Sequence, residues 1–175
     1  IKDALGYLRL INQPNDDISF ERIINTPKRS IGDTSVKKIH QYARQKGMSL
    51  LDASQEILKE DILKPQTVKN LKSFIINMIS WKKNSTTLDH VTLLETVLDE
   101  SGYTSVLKNE KTPEADAKLE NLKELKASMK SYASLDEFLE NISLQTAIDE
   151  KWDGEKINVM TIHSAKGLEF DSVFL

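Results

Sequence analysis

Residues able to do chemistry gather in two places in this chain. The first is the stretch INVMTIHSAKGLEFDSVFL, Ile157 to Leu175, which groups Thr161, His163, Ser164, Lys166 and Glu169 around Gly167. Ile157, Val159 and Ile162 suit a buried strand, and Ser172 to Leu175 suits a second. The polar set then falls in the connection leaving the first strand, where open α/β sheets place their ligand sites. Hydroxyl, imidazole, ammonium and carboxylate groups arranged in this way can contact phosphates, ribose hydroxyls or a nucleic-acid backbone. Gly167 permits close backbone approach. Any one of these residues alone reads equally well as part of a polar loop.

The second place is TPKRSIGDTSVKKIHQYARQKG, Thr26 to Gly47. Its six basic residues (Lys28, Arg29, Lys37, Lys38, Arg44, Lys46) face one acid, Asp33, a local charge of +5 in a chain whose formal net charge is -3. Ser30-Ile31-Gly32 forms a tight turn, and Asp33 or Thr34 is placed to cap the helix that follows. Backbone N–H groups at such a helix start, with lysines beside them, can hold a phosphate. The plainer account is a turn between helices with a solvated basic face, and charge alone favours it by about two to one.

The elements that must position these groups are helical. Residues 1–12 form a helix with Ile1, Leu5, Leu8 and Ile11 on one stripe. An Asp of Asp16-Asp17 caps a short helix bearing Phe20, Ile23 and Ile24, which Thr26-Pro27 stops. Val36, Ile39 and Ala43 face inward on the next helix, which Gly47 ends. Ser49 with Asp52 and Pro65 open two more helices, the second long, with Val68, Leu71, Ile75 and Met78 inward. Trp81 belongs to the core or its rim. Leu88 to Ser101 is amphipathic, and Gly102 ends it before a short helix around Tyr103 to Lys108. Thr112-Pro113-Glu114 starts a helix that runs to about Tyr132, and Ser134 with Glu137 is a capping box before the last helix. Asp149 to Lys156 is a charged link. The result is a helical body of roughly 130 residues, an ordinary domain size, followed by a β-containing tail that ends on an apolar residue, as though cut from something larger.

Composition narrows the function. Charged residues make up 29% and are mixed in sign, which excludes a globally basic nucleic-acid binder but not a local basic patch. There is no cysteine, hence no disulfide or thiolate metal site, and a reducing, cytoplasmic setting is the default. His40, His90 and His163 lack ligand spacing. No apolar run approaches the roughly 20 residues of a membrane span. A phosphate-binding GxxxxGK[ST] loop and a nucleophile elbow are both missing. Asp16-Asp17 and Asp99-Glu100 sit at helix ends, where capping or solvation explains them.

VMTIHSAKGLEFDSVF resembles motif V of the superfamily 1A DNA helicases of the UvrD/PcrA/Rep group, MTxHxxKGLEFxxVF, with Asp171 where proline is common. The resemblance runs along the chain. IKDALGYLRLINQPNDDISFERIINTPKR is similar to the segment entering the group's inserted 2B subdomain. SIGDTS is similar to its GIG turn, with Ser30 for the first glycine. KLENLKEL and SLDEFLENISL are similar to later helices of the insertion. A helicase–nuclease also carries a KGLEF-like motif, but the compact insertion and PKRSIGDTS favour the UvrD/PcrA branch.

The resemblance implies a mainly α fold: residues 1–14 as the end of a helix of motor domain 2A, 15–150 as helical subdomain 2B, and 151–175 as the return into the RecA-like α/β motor with motif V. It implies a parent enzyme that uses ATP and Mg2+ to translocate 3′-to-5′ on single-stranded DNA and open duplex ahead. Glu169, Gly167 and Lys166 match positions on the nucleotide side of motif V. Thr161, His163 and Ser164 match positions on the single-strand side. Ser30, Ile31, Gly32 and Thr34 match the turn that touches duplex, and with Lys37 and Lys38 they make the expected DNA contact. Catalytic residues and metal ligands are expected outside this chain, so it should be inactive alone. DNA junctions, and repair or replication proteins on the 2B surface, are the implied partners. The competing reading is a freestanding helical DNA- or protein-binding adaptor.

Overall fold

The computed structural model describes residues 1–149, with side chains to 144, together with 159–161, 165–166, 170 and 172. Among the described residues the protein is helical: α1 Lys2–Asn12, α2 Asp17–Ile23, α3 Asp33–Lys46, α4 Leu50–Glu56, α5 Pro65–Asn84, α6 His90–Glu100, α7 Tyr103–Glu110, α8 Pro113–Met129 and α9 Leu135–Asp149. A short 3-10 turn, Ile57–Lys59, extends α4.

Local sequence sets most of these boundaries. Side-chain oxygens of Asp16, Ser49, Asp89 and Thr112 accept the first free N–H groups of α2, α4, α6 and α8. Ser134 accepts from Glu137 N–H, while the Glu137 carboxylate reaches back to Ala133 N–H at 2.8 Å. Pro65 and Pro113 occupy first-turn positions, where the missing N–H costs nothing. Gly47 closes α3 in the left-handed conformation at φ 63. Helix α3 departs from expectation. Its N-cap is Gly32, and Asp33 lies inside the first turn, so neither Asp33 nor Thr34 caps it.

Helix α1 is central. It contacts α2, α5, α6 and α9, and it buries Ala4, Leu5, Tyr7, Leu8, Leu10 and Ile11 rather than a single narrow stripe. The Tyr7 ring meets Trp81 of α5 edge-on at 5.7 Å between centroids, a favoured aromatic geometry. The Trp81 indole N–H donates to Glu100 at 2.6 Å, so this acid at the end of α6 satisfies a fully buried tryptophan. At the other end, Asn12 donates to Asp136 of α9 at 2.8 Å. Asp3 accepts from the Tyr103 hydroxyl at 3.2 Å and lies 3.5 Å from Arg22. Burial, followed by the Asp3 charge, pushes the Tyr103 hydroxyl up to about 12.

The expected β tail lies largely outside the described residues. Val159, Met160 and Thr161 are described, are exposed, and carry no regular secondary structure.

One position makes the central placement of α1 possible. A Cβ on Gly6 would meet Ile23 Cγ2 at 2.9 Å and Arg22 Cδ at 3.2 Å. Arg22 can swing aside, but Ile23 is fully buried. Overpacking of this kind costs about 1–3 kcal/mol, and the roughly 1 kcal/mol that Ala gains over Gly in a helix offsets only part of it. Gly6→Ala is therefore expected to lower the thermal midpoint, the reverse of the usual effect in an exposed helix. A midpoint unchanged or raised in a calorimetric scan would mean that α1 and α2 can move apart.

Candidate nucleic-acid interface

The loop joining α2 to α3 is held from below by Arg29. Its guanidinium donates to the carbonyl oxygens of Ile23 (2.7 Å), Ile24 (3.2 Å) and Pro27 (3.3 Å). It also donates to the Tyr7 hydroxyl and stacks 5.0 Å from the Phe74 ring centroid. Two of those carbonyls belong to the end of α2, where helix acceptors lack α-helical partners and a cation is favoured; Ile23 O also accepts from Thr26 N–H at 3.0 Å. The Tyr7 hydroxyl in turn donates to Thr26 O at 2.5 Å. Burial raises the pKa of Tyr7 while the neighbouring Arg29 pulls it down, and the phenol retains the proton it donates. Asn25 pairs with both backbone groups of Ile31, accepting from its N–H at 3.2 Å and donating to its carbonyl at 2.6 Å. Asn70 of α5 donates to Arg29 O at 2.7 Å.

These anchors decide which atoms of the turn face outward. The Ile31 side chain is 1% exposed and is a core anchor, and its N–H is taken by Asn25. Ser30, Gly32, Asp33 and Thr34 are exposed. Ser30 adopts φ 56, the left-handed region that glycine enters freely and an L-residue enters at a cost. Gly32 has an ordinary φ of -66, and a Cβ there would meet nothing within 4 Å. Among the described residues nothing therefore requires glycine at this position. No side-chain cap bonds to the start of this 14-residue helix, and Asp33 and Thr34 are exposed at its positive end.

The basic residues divide. Arg29 is turned inward. Lys38 is exposed, but its ammonium donates to Ile62 O at 2.6 Å. Lys28, Lys37, Arg44 and Lys46 are exposed. Helical spacing of four and three residues puts Lys37, Gln41 and Arg44 on one face of α3, beneath Thr34. His40, on the adjoining face, lies 3.1 Å from Glu21. The positive surface is thus narrower than the sequence count: Lys37 and Arg44 share one face of α3, while Lys46 lies on its far side and Lys28 in the loop before it.

Of the C-terminal set, Thr161 and Lys166 are described and exposed, and Thr161 O accepts from Ala165 N–H at 3.0 Å. His163, Ser164, Gly167 and Glu169 lie outside the described residues. Among the described residues no group of three or more His, Asp or Glu side chains could hold a metal ion. The acid pairs are structural where they are engaged. Asp16 caps α2, Asp17 accepts from Leu50 N–H of α4 at 2.8 Å, and Glu100 holds Trp81.

Comparison with known proteins decides what this arrangement belongs to. The family model described as UvrD-like helicase C-terminal domain matches residues 1–175. The chain belongs to that family. It is 38% identical over 177 residues to a protein named DNA helicase II from Rickettsia typhi, and 41% identical over 185 residues to ATP-dependent DNA helicase PcrA from Staphylococcus epidermidis. PcrA from Staphylococcus aureus is 40% identical over 183 residues. All of this chain is covered in each case, but only 25–27% of the relative. The chain thus spans about a quarter of the length of these UvrD/PcrA-type helicases.

Sequence reasoning missed the residues that hold the turn: Tyr7, Asn25, Asn70 and the inward role of Arg29. An arginine two residues after a proline and next to a turn looks like any other surface cation. Only the three-dimensional arrangement of acceptors tells them apart. Hydrogen bonds from a charged group to such acceptors are worth about 1.5–3 kcal/mol each, and lysine lacks the planar fork that reaches several at once. Arg29→Lys is expected to lower stability by about 2–3 kcal/mol in urea unfolding. Ser30→Gly should raise it by up to about 1 kcal/mol by removing the left-handed strain. Equal midpoints for Arg29→Lys and the parent would mean that the latch contributes nothing.

Proposed function

We propose that this chain is the accessory, duplex-contacting part of an ATP-dependent 3′-to-5′ DNA helicase. The observation that carries the reading is the family match over all 175 residues. The open, glycine-containing start of α3 above a basic helix face supports it. In this reading Ser30, Gly32 and Thr34 present the turn to a duplex phosphate, with Ile31 as its buried anchor. Lys37 supplies an exposed charge on the first turns of α3, and Lys38 borders it. Phosphate contacts of this kind fix position and orientation without reading sequence.

Residues 15–150 are assigned to the inserted 2B subdomain, residues 1–14 to the outgoing 2A helix and 151–175 to the return carrying motif V. The burial of α1 among α2, α5, α6 and α9 gives that boundary a physical qualification: it separates roles, not cores, and a subdomain cut at residue 15 would lose its central helix. In the parent enzyme, Glu169, Gly167 and Lys166 would serve the nucleotide side of motif V, and Thr161, His163 and Ser164 the single-strand side. ATP and Mg2+ would be used there, with DNA junctions as substrate and repair or replication proteins as further partners. A bacterial, cytoplasmic, DNA-associated setting is part of this reading, and the bacterial DNA helicase relatives support it. Phosphoryl transfer depends on a phosphate-binding loop, metal-binding acids and an arginine finger, which this sequence does not supply, so the chain alone is assigned no ATPase activity.

The test separates binding from folding. Gly32→Ala should leave the thermal midpoint unchanged, since its Cβ meets no atom of the described residues within 4 Å, yet weaken binding of a labelled DNA hairpin at low salt. Lys37→Glu with Lys38→Glu should weaken it further and lower the salt slope by about 1–2, each phosphate contact contributing close to one. Unchanged affinity in both variants would remove the turn from the DNA-contacting surface. DNA-stimulated ATP hydrolysis by the purified chain would overturn its assignment as non-catalytic.

A further inference from the structure

Helix α5 carries an outward face that neither the core nor the turn uses. Within its 20 residues it has four lysines and no acid. Leu71, Phe74, Ile75, Met78 and Trp81 are buried. On the opposite side, successive steps of three and four residues align Lys69, Lys72, Ile76, Ile79 and Lys83, all exposed. Ile76 and Ile79 are 55% and 56% exposed, one turn apart, with Ser73 and Ser80 beside them. Scattered exposed isoleucines need no explanation, but a turn-spaced pair enclosed by lysines on an acid-free helix is a pattern with a definite complement.

Charge and geometry select the occupant. Among the described residues none of Lys69, Lys72 and Lys83 takes part in an ion pair; those present join other residues. The stripe also lies away from the turn: at 100° per residue, Asn70, which reaches the Arg29 carbonyl, is about 120° around the helix from Ile76. Two apolar side chains at the centre gain nothing against a phosphate backbone, which argues against a second DNA track. A second copy of α5 laid antiparallel across the Ile76–Ile79 pair would bring Lys72 close to Lys83 of its mate, a like-charge juxtaposition.

We propose that the Lys69–Lys72–Ile76–Ile79–Lys83 face of α5 is a protein-docking surface for an acidic amphipathic segment, whose apolar side chains one helical turn apart seat on Ile76 and Ile79 while flanking carboxylates meet the lysines. It is the helix-on-helix mode of recognition, with apolar anchors giving affinity and charges giving orientation and partner choice. The surface is separate from the DNA-contacting turn and does not depend on that assignment.

The test uses the whole chain and synthetic peptides. One helical peptide carries two leucines one turn apart flanked by glutamates, and a second has the same leucines with lysines for the glutamates. By amide chemical-shift mapping, the acidic peptide is expected to bind at α5 residues 69–83, and the basic peptide not to bind. Ile76→Ser with Ile79→Ser should weaken the acidic peptide about tenfold or more with the thermal midpoint unchanged. Lys72→Glu with Lys83→Glu should reverse the preference between peptides. Equal binding of both peptides, shifts centred elsewhere, or an unreversed preference would overturn the proposal. So would stronger perturbation of these amides by duplex DNA, or concentration-dependent dimerisation abolished by the serine variant.

Discussion

A guanidinium placed under a turn must find acceptors for its N–H groups, and the surroundings of Arg29 are organised by that demand. The end of α2 offers the carbonyls of Ile23 (shared with Thr26 N–H) and Ile24, the loop offers a third at Pro27, and Tyr7 of α1 offers its hydroxyl. Phe74 of α5 closes the other face. One side chain thereby ties together the central helix, the short helix before the turn and the long helix behind it. The outward conformation of Ser30 to Thr34 is a consequence: with Asn25 holding both backbone groups of Ile31 and Asn70 holding the Arg29 carbonyl, little freedom is left. A binding loop ordered before its ligand arrives loses less conformational entropy on binding.

That latch depends on α1 lying where it does, and α1 can lie there only because position 6 lacks a Cβ. The approach to Ile23 sets the distance between α1 and α2, and so the distance from the Tyr7 hydroxyl to the loop. Core packing and site geometry are the same problem in this protein. Helix α1 also carries the Tyr7 hydroxyl that meets Arg29 beneath the turn, and its packing against α2, α5, α6 and α9 makes its buried face wider than an amphipathic stripe.

Elements set by short-range chemistry were legible in the sequence. Asp16, Ser49, Thr112 and Ser134 act within three residues of themselves, so a cap can be read from neighbours alone; Asp89 caps α6 by the same short-range chemistry but was not singled out. Long-range pairings were not legible. Asp17 caps α4 across 33 residues, Trp81 finds Glu100, and His90 reaches Met129 O across 39 residues. The same divide runs through the candidate site. The glycine turn and the charge excess were visible, whereas the inward turn of Arg29 and the bond from Lys38 to Ile62 O required the fold. Local counting placed the helix cap on Asp33 or Thr34, and the structure places it on Gly32 because the chain before the turn is pulled down by Asn25 and Arg29.

The position of Ser30 shows how local conformation and function can pull apart. Its left-handed φ is one that glycine would adopt without strain, and Gly32, two residues on, is a glycine whose φ does not call for one. If backbone conformation alone chose these residues, the glycine would stand at 30 and a capping serine at 32, where it could accept from the open N–H groups. The observed order leaves those N–H groups uncapped and keeps the surface in front of Gly32 empty. A helix start without a cap side chain forgoes about 0.5–2 kcal/mol, and the positive end of the helix dipole there favours an anion over a cation.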